Sequence, residues 1–172
     1  AALTNLDGLV NITGSLTDLF IQSNNALTNL NGLANITSVE GVLDISRNAA
    51  LINLDGLVNI TGSVGGPQFG VGFRWLFINS NAALTNLDGL ANITSVGGRV
   101  NIGSNAALTN LDGLANLTSV GGGLAIQGNA AITNLDGLAN ITSVGDYLWI
   151  QSNNALTNCQ GIALLLGWPN GP

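Results

Sequence analysis

The chain has 172 residues, 46% of them apolar and only 7% charged, and its three arginines face nine carboxylates with no lysine or histidine, for a net charge of −6. That balance argues against a phosphate-binding surface and so against nucleic acid as a partner, and it leaves neither a histidine metal site nor a His- or Lys-based nucleophile system. Mean hydropathy is +0.41, yet Asn, Asp, Gly, Ser or Thr interrupts every few positions, so no stretch reaches the roughly 18 apolar residues of a membrane span.

One unit recurs along the chain, opening at Leu3, Leu27, Leu51, Leu84, Leu108, Ile132 and Leu156. The starts are 24 residues apart, except for an interval of 33 between Leu51 and Leu84. Such a period is the signature of stacked repeats, each unable to bury its own apolar face without neighbours. The first unit, from Leu3 to Asn24, carries Gly14-Ser15 where the second has Thr37-Ser38-Val39, which shifts the local register. The chain contains no Met and starts directly on the repeat, so it reads as a segment of something longer whose first unit lacks a polar cap.

Within each unit two apolar residues alternate ahead of an Asn: Leu19/Ile21/Asn24, Leu43/Ile45/Asn48, Leu76/Ile78/Asn81, Val100/Ile102/Asn105, Leu124/Ile126/Asn129 and Leu148/Ile150/Asn153. The alternation predicts a short strand with those side chains on one face and their neighbours on the other, parallel to its copies roughly 4.8 Å away. The Asn column is read as structural, supplying hydrogen bonds to irregular backbone at the turn that follows.

The third unit contains an insertion, residues 65–74, expected as a loop just before the strand Trp75 to Ile78; insertions in repeat proteins map to loops on one face, often the binding face. Three regular units follow, up to Asn154. Residues 1–158 thus form the repeat region and residues 159–172 a C-terminal cap, with Trp168 folded over the last unit ahead of a Pro/Gly exit. Cys159 stands where other units have Leu6, Leu30, Leu54, Leu87, Leu111 and Leu135, and is expected to be a buried small apolar side chain, the alternative being a disulfide to a cysteine outside this segment.

The phrase Asn-Ile-Thr-Ser-Val-Gly-Gly-x-Leu-x-Ile-x-x-Asn resembles the leucine-rich repeats, and within them the receptor L-domain-like repeats of secreted and cell-surface proteins. The resemblance covers essentially the whole chain. It implies a β-rich solenoid, a leucine-rich-repeat or right-handed β-helix-like stack of about seven 24-residue coils with parallel sheets, one insertion loop and a C-terminal cap. Members bind many unrelated ligands, so the fold does not choose among them. With the low charge and the Asn/Ser/Thr/Gly-rich surface, the resemblance favours an extracellular or cell-surface setting.

Comparison among the units separates constant from variable positions. Core positions barely change, whereas one outward strand column reads Asp18, Val42, Trp75, Arg99, Gly123, Tyr147 and the next Phe20, Asp44, Phe77, Asn101, Ala125, Trp149. Seven of the eight aromatic residues lie in these columns or in the insertion, as Phe69 and Phe73, and Arg47, Arg74 and Arg99 fall on this face or beside it. Exposed aromatic area with Arg is the composition of binding hot spots. The candidate ligand-binding residues are therefore Phe20, Asp44, Arg47, Phe69, Phe73, Arg74, Trp75, Phe77, Arg99, Asn101, Tyr147 and Trp149, and the bland alternative is that the rings merely cover the sheet.

Other columns are uniform. Asp7, Asp55, Asp88, Asp112 and Asp136, with Asn31 in the second unit, precede a repeated Gly, and each carboxylate is expected to accept backbone N–H groups in its own turn rather than to build a calcium ladder. Asn11, Asn35, Asn59, Asn92, Asn116 and Asn140 each sit in Asn-x-Thr, glycosylation acceptors in a eukaryotic secretory protein. The accompanying Thr13, Thr37, Thr61, Thr94, Thr118 and Thr142 make a regular hydroxyl column of the kind an ice- or crystal-binding surface needs. For catalysis only a carboxylate pair such as Asp18 and Asp44 is on offer. The reading is a non-enzymatic recognition or adhesion module for a protein or glycan, with no cofactor and no membrane insertion; ice or mineral binding is the first rival and end-to-end stacking into filaments the second.

Overall fold

The computed structural model describes residues 2–66, 75–163 and 165–166. Among them there is no α-helix; the elements are short strands and single 3-10 turns. In chain order the strands are β1 (Gly14–Leu16), β2 (Leu19–Gln22), β3 (Ile36–Val39), β4 (Leu43–Ser46), β5 (Gly62–Val64) and β6 (Trp75–Asn79). The second half carries β7 (Ile93–Val96), β8 (Arg99–Gly103), β9 (Ser119–Val120), β10 (Leu124–Gln127), β11 (Ser143–Val144) and β12 (Leu148–Gln151).

The predicted strands form one main parallel sheet in the order β12-β10-β8-β6-β4-β2. Its register is the repeat itself: Leu43 opposite Leu19, Leu76 opposite Leu43, Val100 opposite Leu76. A second rank of strands, at Thr-Ser-Val, forms a four-stranded sheet in the order β11-β9-β7-β5 and a separate pair β1-β3. Parallel sheets stacked one repeat at a time are compatible with a β-solenoid. The shift expected at Gly14-Ser15 is present, and Gly62-Ser63 repeats it; both glycines have positive φ, 87° and 77°, the signature of a one-residue bulge.

Alternation explains the core. Leu43, Ile45, Leu76, Ile78, Ile102, Leu124 and Ile126 are fully buried, as are the residues that open each inner repeat, Leu27, Leu51, Leu84, Leu108 and Ile132, and the leucines before and inside the turns of the second to sixth repeats. The turns run Asp7–Leu9, Asn31–Leu33, Asp55–Leu57, Asp88–Leu90, Asp112–Leu114, Asp136–Leu138 and Gln160–Ile162. Their central glycine is set by close approach of two backbones: a Cβ on Gly32, Gly56, Gly89, Gly113, Gly137 or Gly161 would overlap a Leu carbonyl of the preceding repeat. Gly8, in the first unit, has nothing near it.

The core asparagines form a ladder. Asn48, Asn81, Asn105 and Asn129 are fully buried. Each takes a backbone N–H from the Asn one repeat earlier on its Oδ1, at 3.0 Å, and donates its Nδ2 to an Ile carbonyl at 2.7–2.9 Å. The backbone N–H groups of the turn after each main strand are satisfied in this way, and the amides tie that turn to carbonyls of the main sheet.

Two expectations need correction. Cys159 is exposed, not buried, because burial in that column comes from a repeat on either side: Leu30, Leu54, Leu87, Leu111 and Leu135 are sandwiched and buried, while Leu6 in the first unit is only half-buried and Cys159 lies in the last. The carboxylates of the Asp column accept no hydrogen bond among the described residues. Instead Asn5, Asn53, Asn86, Asn110 and Asn134, two residues earlier, accept the Asp N–H on Oδ1 at 3.0–3.3 Å. An Asx turn closes over two residues, and Asn rather than Asp stands at that spacing.

Candidate binding face on the main sheet

The outward residues of the main sheet lie in straight rows because every strand pairs in the same register. One row runs Phe20, Asp44, Phe77, Asn101, Ala125, Trp149. The other includes Trp75 opposite Arg99 and ends at Tyr147. Neighbours are about 4.8 Å apart, so Phe77 and Trp149, three strands apart, are separated by roughly 14 Å. Phe69, Phe73 and Arg74 of the predicted site lie outside the described residues, as do most of the expected loop and Trp168.

The rings form two groups of different character. Trp75 and Phe77 pack on each other edge to face, with centroids 5.0 Å apart and planes at 69°, and both are half-buried. Tyr147 and Trp149 are 41% and 51% exposed, and Phe20, at 57%, is the most open of the described rings. The Trp149 indole N–H donates to Gln151 Oε1 at 2.8 Å, which fixes the ring along its own strand. Arg99 brings its guanidinium carbon to 5.8 Å from the Tyr147 ring centre, near the outer limit for a cation–π contact.

The polar members divide likewise. Asp44 is committed inside the sheet, accepting from Gln22 Nε2 at 2.7 Å and from the Ser46 hydroxyl. Asp18 accepts the Val42 N–H at 2.7 Å. Arg47 is exposed at positive φ, 58°, and makes no ion pair among the described residues. Asn101 is half-buried, and its Oδ1 is the one buried side-chain oxygen or nitrogen without a partner among the described residues. The columns are not uniformly open: Val42 and Ala125 belong to them yet are only 7% and 3% exposed.

The uniform columns are occupied with the fold. In the Asn-x-Thr series Nδ2 of Asn35, Asn59, Asn92, Asn116 and Asn140 donates to a carbonyl of the preceding repeat at 2.7–2.8 Å. Thr13, Thr37, Thr61, Thr94, Thr118 and Thr142 are all exposed, and the hydroxyls of Thr118 and Thr142 donate to the Thr94 and Thr118 carbonyls. Sequence reasoning passed over a further column, Ser63, Ser95, Ser119 and Ser143, which with Gly65, Gly97, Gly121 and Gly145 lines a groove of about 410 Å³ along the second sheet. Its signal was the unvaried Ser-Val-Gly of successive repeats.

Among the described residues no three of His, Cys, Asp and Glu gather to hold a metal ion, and no helix is long and apolar enough to cross a membrane. No family model matches the chain, and neither a curated protein nor a solved structure does.

Proposed function

We propose that this chain is a leucine-rich-repeat-type β-solenoid, a stack of about seven coils, acting as a non-enzymatic recognition or adhesion module at a cell surface or outside the cell. It docks a protein or glycan partner on the main sheet. The observation that carries the reading is the contrast between columns: the constant Asn and Gly columns are committed to the backbone, while the one variable face holds Phe20, Tyr147 and Trp149 exposed on a sheet that does not need them for packing. Exposed contiguous aromatic area is a mark of interaction surfaces.

Ice or crystal binding is retained as a second reading on one observation, the six threonines exposed at the same point of successive repeats. The test compares the parent with Trp149→Ala and with the pair Thr94→Lys/Thr118→Lys on glycan and protein arrays and in ice-recrystallisation inhibition. Array binding lost in the tryptophan variant alone supports the recognition face. Recrystallisation inhibition lost in the threonine variant alone moves the function to the other surface.

A further inference from the structure

The column that holds Trp75, Arg99 and Tyr147 has no side chain at Gly123, and the gap is filled from the next strand. A Cβ built on Gly123 would fall 2.5 and 2.6 Å from Cε1 and Cε2 of Tyr147, and nearer still to Cζ. Near-equal distances to the two flanking carbons, with Cζ closest, place that point above the ring face and not beside its edge. Tyr147 therefore lies flat, one face on Gly123 and the other turned outward, in keeping with its 41% exposure. The neighbouring glycine does the same for Arg99: a Cβ on Gly122 would meet Arg99 Cγ at 3.0 Å, so the aliphatic stem runs along Gly122 toward the ring. Arg99 makes no ion pair among the described residues, and its guanidinium stands 5.8 Å from the ring centre.

A flat aromatic face beside an unpaired guanidinium matches a ligand with an apolar ring face and a carboxylate at its rim. A hexuronate has both: the axial C–H groups of the pyranose stack on an aromatic ring, and the C6 carboxylate accepts two parallel N–H bonds from a guanidinium fork. Resting on the recognition-face reading, we propose that Arg99, Tyr147 and Trp149 form a subsite for uronic-acid residues of an acidic polysaccharide. The sugar stacks on Tyr147, its carboxylate pairs with Arg99, and Trp149, two residues further along the extended chain and about 7 Å away, receives the next sugar. The Trp75–Phe77 pair does not offer an equivalent platform, because its rings are turned edge to face and half-buried.

The test is titration calorimetry of the whole chain with β-1,4-mannuronate hexasaccharide and with β-1,4-mannohexaose, which differ only in carboxylate against hydroxymethyl. The expected result is about tenfold or greater preference for the mannuronate, weakened by salt. Arg99→Gln should abolish the preference while leaving the neutral oligomer unaffected. Tyr147→Leu should weaken both about tenfold. Gly123→Val should do the same by lifting the ring; Gly123 has no positive φ, so the backbone accepts Val, and an unchanged circular dichroism spectrum and melting temperature establish folding. Equal affinity for the two oligomers, or a preference that survives Arg99→Gln, overturns the uronate assignment. If neither oligomer binds but another array ligand is lost in Trp149→Ala, this subsite fails and the recognition face stands; if nothing bound is sensitive to Trp149, both fail.

Discussion

Replacing Asn105 by Ala removes one rung of the buried ladder, and the structure specifies what is left behind. Asn105 Nδ2 donates to the Ile78 carbonyl at 2.7 Å, and its Oδ1 accepts the Asn81 N–H at 3.0 Å. Truncation therefore orphans the Asn81 N–H and takes from the Ile78 carbonyl, a member of β6, the bond it accepts from outside the sheet, in a fully buried setting. A buried unsatisfied group costs about 1–3 kcal/mol and a lost hydrogen bond about 0.5–1.5 kcal/mol, so the expected loss is about 1.5–4.5 kcal/mol, a large share of the ~5–15 kcal/mol of a typical domain. For a chain of this length that lowers the melting temperature by roughly 3–18 °C. Asn24 is the internal control: half-buried in the first repeat, its amide donates only to Gln22 O in its own unit, so Asn24→Ala should cost under about 1 kcal/mol. The assay is urea unfolding followed by circular dichroism, with the slope compared to detect loss of cooperativity along the repeats. Equal losses for Asn105→Ala and Asn24→Ala would refute the ladder argument.

Further tests follow from close approach and exposure. Gly113→Ala should destabilise by about 1–3 kcal/mol or more, since the new Cβ overlaps the rigid Leu87 carbonyl; Gly8→Ala, with open space around it, should stay within about 0.5 kcal/mol of the parent. Equal unfolding midpoints for the two variants would remove the stacking explanation. Leu111→Ala, in a fully buried position, should cost about 2–5 kcal/mol, and Leu6→Ala, half-buried in the same column, clearly less. Cys159 should react with a thiol reagent without denaturant, at a rate close to that of the unfolded chain; protection of the native thiol would contradict its exposure.

The parts of the architecture that were legible are those carried by period and alternation. Leu43, Ile45 and Asn48, recurring every 24 residues, locate the main strands and the core, and the bulge at Gly14 shows as one residue out of step. The second rank of strands at Thr-Ser-Val was harder to read, because its members are as short as two residues and their outward positions are Ser and Thr in repeat after repeat, without the variable side chains that mark the main face. The turns misled by one pattern: Asp-Gly draws attention to the carboxylate, whereas the bond is made by the Asn two residues before it. On the candidate face, the rows of Phe20, Asp44, Phe77 and Trp149 followed from register alone. That Tyr147 lies flat on Gly123 did not, because it depends on which way a side chain leans between strands 24 residues apart in sequence. Cys159 was misplaced by treating an end repeat as an interior one.

The asparagine ladder has one further consequence, for how this molecule can change in length. The rung between Asn48 and Asn81 spans 33 residues, yet its bond is 3.0 Å, the same as in rungs that span 24. The ladder counts turns of the chain and is indifferent to the number of residues between them. Lengthening a closed segment from 24 to 33 residues adds only roughly 0.3 kcal/mol of closure entropy. The nine extra residues ahead of Trp75 therefore leave the register on either side unchanged, Leu43 opposite Leu76 and Ile45 opposite Ile78, and they lead in sequence directly to the strand that carries Trp75 and Phe77.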